Sequence, residues 1–380
     1  MGISGNSKMT NTDKRGPVKI CLVAPKAYPI FNPDKGNYFG GAEVDLYYLA
    51  TELAKDIDFE VSFIVADYGQ PLTETREGVT IIKTVDFKKT RLLGIWNVWR
   101  GLRMADAHIY LLKTASPGTP LVALFCKVYS RLFTYRTASI EECDGTYLKQ
   151  HFFLGRAFVW SLRQAKVIFA QNANDRDSLQ HSTGLSSVLI PNGHRLPKLN
   201  HTQRDTILWV GRDADVKKPR CFLELARAIP SQHFTIICQT LTNDQDYNDM
   251  IAEAAQIKNL QFIPHVPFNQ VDSFFRRAKV LVNTSDSEGF PNTFIHACLC
   301  ETPILSLNVN PDGFLDKYSC GICCEGNEKQ LPDTLKSMLA EDRYIRMGRN
   351  GRKYAEEKHD IKKIAEQYKE LFFKLVQGKV

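Results

Sequence analysis

The sequence predicts two α/β domains in tandem, each a parallel sheet covered by helices on both faces. Three observations lead there. Short apolar runs alternate with amphipathic helical segments along the whole chain. The alternation stops in a polar, Pro-containing stretch, Arg195 to Asp205, and then starts again. The length of 380 residues also exceeds that of one typical domain. Alternation of this kind makes neighbouring strands parallel, because each crossover carries a helix.

The elements follow in order. Val18-Lys-Ile-Cys-Leu-Val-Ala24 is an apolar run stopped by Pro25, a buried first strand. A loop leads to Gly40-Gly41, and a helix from Val44 to Lys55 carries Leu46, Leu49 and Leu53 at helical spacing. Strand-like runs recur at Val61–Ala66, Val79–Thr84, His108–Leu112, Phe133–Thr137, Val167–Ala170 and Val188–Ile190, with helical segments such as Leu121–Tyr129 between them. After Pro191-Asn-Gly-His194 the pattern restarts with Ile207–Val210, helix Phe222–Ala228 and strand Phe234–Cys238. Phe262-Ile263, Val280–Asn283 and Ile304–Leu307 complete it, and Tyr344 to Leu375 reads as charged helix. The expected boundaries are a disordered tail over 1–16, a first domain over 17–195, a linker over 196–205, a second domain over 206–360 and a closing helix over 361–380.

Composition narrows the function classes. Hydrophobic residues make up 43% and charged residues 24%, so each half has enough apolar surface for a core. The net charge of +7 suits anionic ligands or an anionic membrane face. It is too dispersed to indicate nucleic acid. The polar N-terminal stretch lacks a signal core, and no apolar run approaches the ~20 residues that span a bilayer, so a cytoplasmic protein is expected. Cys320-Gly-Ile-Cys323 has no second C-x-x-C beside it, which favours buried reduced thiols over a metal site. Neither G-x-x-x-x-G-K-[ST] nor G-x-G-x-x-G occurs.

Two segments carry chemistry. Ser287-Glu-Gly-Phe-Pro-Asn-Thr-Phe-Ile-His296 reads as a loop entering a helix at Pro291. The free N–H groups of a first turn at Asn292 and Thr293, with the positive end of the helix dipole, suit a phosphate. Glu288 just before it suits sugar hydroxyls. Val210-Gly-Arg-Asp-Ala-Asp-Val-Lys-Lys-Pro219 is the other. Arg212 presents a planar fork of donors after a strand, and Lys217 or Lys218 adds a point charge.

Together these segments resemble the donor-binding motifs of retaining glycosyltransferases of the family-4 type (glycosyl transferases group 1), which have the GT-B fold. The resemblance implies two Rossmann-like domains facing across a cleft, with the C-terminal helix crossing back to the first. It implies that Glu288 holds the transferred sugar, and that Arg212 and Lys217, with Lys218 close behind, hold the diphosphate. Arg212, Lys217 and Glu288 are then the catalytic set. Gly289, Phe290, Pro291, Asn292 and Thr293 complete the donor motif, with the backbone of Gly40 and Gly41 facing it. Val266, in the loop Ile263–Pro267, walls the base, whether uracil, guanine or adenine.

Three departures stand out. The family's second Glu, eight positions after the first, is replaced by His296, which alters the ribose contact. Glu301 stands where the family often has the Gly that ends the helix. The family's His near Lys113–Gly118 is also absent. Acceptor candidates are Glu141, Glu142 and Asp144, against the plainer reading of a solvated acidic loop.

The implied reaction moves a sugar from a nucleotide diphosphate-sugar to an acceptor hydroxyl, with retention and without a metal, in cell-surface polysaccharide or glycolipid synthesis. Asp213/Asp215 and Asp244/Asp246 are chance-level Asp-x-Asp pairs. Alternatives are a non-catalytic nucleotide-sugar binder and a sugar-nucleotide epimerase or hydrolase. Residues 86–108 interleave Lys88, Lys89, Arg91, Arg100 and Arg103 with Leu92, Leu93, Ile95, Trp96, Val98 and Trp99. That mixture suits an anionic membrane face and a lipid-linked acceptor, or else a helix packed on the core with a basic edge.

Overall fold

The computed structural model describes residues 16–36, 39–87, 90–199, 202–240 and 245–379, with the side chain of Arg91 left out. The expected tail over 1–16 therefore lies, but for Gly16, outside the described residues, as do Lys88, Lys89 and Asp244.

The first half runs β1 (Val18–Val23), α1 (Tyr28–Phe31), α2 (Gly41–Leu53), β2 (Phe59–Val65), β3 (Thr73–Arg76) and β4 (Val79–Lys83). It continues through α3 (Arg91–Ala105), β5 (Ile109–Lys113), α4 (Gly118–Val128), β6 (Leu132–Arg136), α5 (Thr146–Gln150), α6 (Phe152–Gln164), β7 (Val167–Ala170), α7 (Ala173–Thr183) and β8 (Val188–Leu189). The strands form one sheet in the order β3-β4-β2-β1-β5-β6-β7-β8. Its pairs are parallel except β3 with β4. That edge strand, Thr73-Glu-Thr-Arg76, is polar and half-exposed, so no apolar run announces it.

The second half runs β9 (Thr206–Arg212), α8 (Pro219–Ala228), β10 (His233–Gln239), α9 (Gln245–Ala254), β11 (Leu260–Ile263), α10 (Val271–Arg277) and β12 (Ala278–Asn283). Then come α11 (Asn292–Leu299), β13 (Ile304–Ser306), α12 (Phe314–Lys317), β14 (Gly321–Cys323), α13 (Leu331–Leu339), α14 (Arg343–Lys358) and α15 (Ile361–Val376). The sheet order is β11-β10-β9-β12-β13-β14, all parallel.

The long C-terminal helix of the sequence is two helices, broken at His359. Asp360 caps α15 by accepting from the Lys362 N–H at 3.0 Å. Ile364, Tyr368 and Phe372 of α15 are buried in the first domain's core, with Leu49 and Leu53 of α2 and Ile20 of β1.

Both sheets reverse their strand order once, between β1 and β5 in the first and between β9 and β12 in the second. Helices leave on opposite faces at such a point and open a crevice beyond the carboxyl ends of the strands. Gly40-Gly41 follows β1 and Lys113 ends β5, while Arg212 ends β9 and Glu288 follows β12. The topology therefore brings the two crevices to one interdomain cleft.

Candidate active site

The cleft holds about 490 Å³ and is lined from both domains. Gly40, Gly41, Val266 and His296 line it, as do Arg212, Lys217 and every residue from Glu288 to Thr293. Three sequence candidates stay out of that lining: Lys218, Glu141 and Asp144.

Glu288 is held on both oxygens. Its Oε1 accepts from Asn283 Nδ2 at 2.9 Å and from Ser285 Oγ at 2.7 Å. Its Oε2 pairs with Lys217 Nζ at 2.5 Å. The two charged residues come from loops after neighbouring strands, β12 and β9, and meet at the switch point.

The Lys217 loop is itself pinned. Thr284, fully buried, accepts from Trp209 Nε1 at 2.9 Å and donates to the carbonyls of Lys217 at 2.6 Å and Lys218 at 3.0 Å. The Trp209 ring lies across Gly211, where a Cβ would come within 2.6 Å of it, so glycine is required in Val210-Gly-Arg212. The choice between the two lysines follows from the backbone. Residues Asp215–Lys217 form a single 3₁₀ turn, and Lys218 then takes a left-handed φ of 46°. Its side chain turns outward to Asp286 at 2.7 Å and Glu328 at 3.2 Å. Lys217 alone of the pair faces the cleft.

Pro291 occupies the cap position of α11, with φ −63° and ψ 125°, and the helix has no capping side chain. Its first internal bond runs from the Phe294 N–H to the Pro291 carbonyl at 3.0 Å. The N–H groups of Asn292 and Thr293 precede that bond, so the helix itself gives them no acceptor. The Asn292 side chain serves the domain contact instead, donating to the Gly41 carbonyl at 2.6 Å and accepting from Asn192 Nδ2 at 3.1 Å. Gly289 meets the first domain still more closely: a Cβ there would stand 2.1 Å from Gln171 Nε2. Phe290 turns into the core, with its ring 4.9 Å from that of His359.

His296 is buried. Its Nδ1 lies 3.0 Å from Asp272 Oδ1, its ring stacks on Phe275 at 5.4 Å, and His194 meets it edge-on at 4.6 Å. A carboxylate here would face Asp272, whereas an imidazole is accommodated by it. Glu301 takes a left-handed φ of 55°, so the helix closes in the geometry that glycine would have adopted more easily.

The acidic loop contributes one side chain, and it is not one of the exposed pair. Glu141 is exposed, and Asp144 caps a turn by accepting from the Thr146 N–H at 2.8 Å. Glu142 lines the cleft. It accepts from the Ala115 and Ala138 N–H groups at 2.9 Å each and from Tyr135 OH at 2.9 Å. Burial raises its carboxyl above the usual range, against those three bonds.

At the floor lies a network that sequence reasoning missed. Asp45 accepts from Lys113 Nζ at 2.9 Å and Arg136 Nε at 2.6 Å. Burial alone would raise the Asp45 carboxyl, but Arg136 and then Lys113 hold it at about 2. Burial lowers the Lys113 ammonium, with Asp45 opposing. Asn192 accepts from Lys113 Nζ at 3.1 Å and Arg136 Nη2 at 2.7 Å. Its signal in the sequence was the Pro-Asn-Gly turn, which reads equally well as the start of a linker.

Residues 195–354 match the model of the family Glycosyl transferases group 1. The fold is GT-B. Sucrose-phosphate synthase from Thermosynechococcus elongatus superposes with a TM-score of 0.77 at 16% identity, covering 96% of this chain and 100% of that one. WaaG, a glycosyltransferase involved in lipopolysaccharide biosynthesis, gives 0.67 at 16% identity, covering 93% and 99%. An E. coli structure named for trehalose-6-phosphate and bound with UDP-2-fluoro glucose gives 0.68 at 10% identity, covering 93% and 98%. No curated protein matches by sequence. At these identities the likeness is one of fold, and the chemistry of this GT-B protein rests on its own cleft.

Proposed function

We propose that this protein transfers a sugar from a nucleotide diphosphate-sugar to an acceptor hydroxyl, with retention, in the synthesis of a cell-surface polysaccharide or glycolipid. The observation that carries the reading is the Lys217–Glu288 pair at 2.5 Å, set between Arg212 and the start of α11 in the interdomain cleft. Lys217 Nζ lies on Glu288 Oε2. A diphosphate draws the ammonium to its own oxygens and releases Glu288 Oε2 to accept from a sugar hydroxyl. Glu288 Oε1 stays fixed by Asn283 and Ser285, so the carboxylate is already oriented.

In the reaction the bond from the anomeric carbon to the diphosphate oxygen breaks, and one to the acceptor oxygen forms on the same face. The leaving phosphate takes the acceptor proton. Arg212, Lys217 and the N–H groups of Asn292 and Thr293 stabilise the charge that builds on it. Those groups supply the positive charge, so the reading invokes no metal. The nucleotide base lies against Val266, and its ribose lies beside His296. We place the protein on the cytoplasmic side of a membrane, with a sugar or lipid-linked acceptor.

Titration calorimetry with UDP, GDP and ADP tests the donor site, and nucleoside diphosphate release from a panel of nucleotide-sugars with acceptor extracts tests turnover. Arg212→Ala should weaken diphosphate binding about 10- to 100-fold, the loss of a charge-assisted contact. Unchanged affinity sinks the diphosphate assignment. Binding without turnover on any acceptor favours a non-catalytic binder, and release without transfer favours a hydrolase.

A further inference from the structure

One layer of the first domain has a composition unlike the rest of the chain. Helices α3, α4, α5 and α6 contain Arg91, Arg100, Arg103, Lys127, Lys149, Arg156 and Arg163, and no Asp or Glu. These seven residues equal the chain's whole formal excess of +7, so the remainder is balanced. The same helices carry exposed apolar side chains. Leu92 is 79% exposed, Trp96 59% and Phe153 83%, with Leu93, Ile95, Phe152 and Leu154 also exposed.

Topology places these side chains together. α3, α4 and α6 cover one face of the first sheet, since Leu102, Phe125 and Phe158 share a core with Ile64 and Leu112. α2 and α15 pack in the other core. Trp99 of α3 meets Phe125 of α4 at 5.2 Å, and Lys127 of α4 lies over Trp160 of α6 at 5.8 Å, so α4 sits between the other two. Each crossover helix begins at the carboxyl end of its preceding strand, which is the cleft end. The first two turns of α3 and the first turn of α6 are where Leu92 to Trp96 and Phe152 to Leu154 lie. Two apolar knobs thus lie at the cleft end of this layer, about 20 Å apart at usual helix spacings.

We propose that this layer docks on an anionic lipid bilayer, with Leu92–Trp96 and Phe152–Leu154 as two anchors entering the interface. The inference rests on the proposed function in one respect: docked so, the cleft opens toward lipid, where a lipid-linked acceptor hydroxyl would enter. Charge decides the occupant. A second copy of the same face would set cations against cations, while anionic headgroups neutralise them. Trp and Phe at the knobs suit the headgroup boundary. Arg156 lies over the Phe152 ring at 3.9 Å and Arg100 over Trp96 at 5.8 Å, which places a cation beside each knob. Among the described residues no helix is long and apolar enough to cross a membrane, so the contact is peripheral.

The test is sedimentation of the full chain with vesicles of phosphatidylcholine alone or with about one-third phosphatidylglycerol, with UDP and GDP affinity measured on the same samples. Wild type should partition onto the anionic vesicles at least tenfold better than onto neutral ones. The double variants Trp96→Ser/Phe153→Ser and Arg100→Glu/Lys149→Glu should each lose at least tenfold in partitioning and keep wild-type nucleotide affinity. Absence of binding to anionic vesicles overturns the proposal, as do equal binding to neutral vesicles and wild-type partitioning by both variants. Concentration-dependent dimerisation of the wild type that Trp96→Ser/Phe153→Ser abolishes also overturns it, in favour of a second copy. Loss of vesicle binding with nucleotide binding intact removes this inference alone. Absent nucleotide binding removes the donor-site reading alone.

Discussion

Thr284→Val isolates what fixes Lys217 in the cleft. Valine keeps the shape of threonine and removes one hydroxyl. That hydroxyl is fully buried, accepts from Trp209 Nε1 at 2.9 Å and donates to the Lys217 carbonyl at 2.6 Å. The Trp209 N–H is left without its partner, which costs about 1–3 kcal/mol. The Lys217 carbonyl, on a half-buried loop, recovers part of its loss from water. A destabilisation of about 2–3 kcal/mol follows, read as a lower urea midpoint with unchanged slope. The functional effect is separate. With its carbonyl released, the 3₁₀ turn no longer presents the ammonium at the switch point, and nucleoside diphosphate affinity should fall about 3- to 10-fold, part of one charge-assisted bond. Thr284→Ser restores the hydroxyl and should recover the affinity, and the stability in part, since it also deletes a buried methyl. Full affinity in a destabilised Thr284→Val, or a Thr284→Ser no better than valine, refutes the claim that this hydroxyl positions Lys217.

Other outcomes follow from neighbouring features. Lys217→Ala should weaken nucleoside diphosphate binding about tenfold, while Lys218→Ala should leave it within about twofold, because an exposed pair such as Lys218–Asp286 is worth little; calorimetry on both variants checks the ordering. Glu301→Gly should raise stability by about 0.5–1 kcal/mol, since a left-handed φ strains an L-residue by more than glycine loses in chain entropy; a lower urea midpoint contradicts it. Burial lowers His359 to about 4, against its bond to the Asn192 carbonyl. The unfolded chain, near the ordinary 6.5, therefore takes up the proton first. This contribution is present above pH 6.5 and fades as pH falls toward 4, by about 3 kcal/mol. Melting temperatures between pH 7.5 and 4.5 should show the decline, less steeply in His359→Gln; an equal slope in that variant excludes His359 as its source.

The sequence revealed what is local. Strands showed because each core strand is a run of apolar residues, and the motif from Glu288 to Thr293 showed because its loop-to-helix chemistry lies within a few positions. Arg212 was legible for the same reason, since it closes an apolar strand, although the sequence expectation ended that strand at Val210 and the structure carries it to Arg212 itself. What stayed hidden depends on distant partners. Asn192 acquires its meaning from Lys113, Arg136 and Asn292, the last 100 positions away. Thr284 joins Lys217 across 67 positions. In the acidic loop the sequence held three carboxylates within four positions and of similar promise, and only the register of a 3₁₀ turn decides that Glu142 faces inward while Glu141 faces water. The strand β14 was missed because Gly321-Ile-Cys323 is too short to register as a run.

The same geometry makes the donor motif part of the domain contact. Gly289 packs against Gln171, Asn292 bonds to Gly41 and Asn192, and Asp312 caps α7 of the first domain through the Ala173 and Asn174 N–H groups at 2.9 and 3.1 Å. Gly289 and Asn292 belong to the segment that carries Glu288, and Asp312 borders the same segment. Separating the domains would therefore strip partners from the very loop that is to hold a sugar. Conversely, a ligand that orders Glu288 to Thr293 also orders the surface on which the first domain rests. Binding and closure share side chains, so affinity for donor includes the free energy of docking the domains. A substitution at Asp312, which does not line the cleft, is then expected to act on donor affinity as well as on stability.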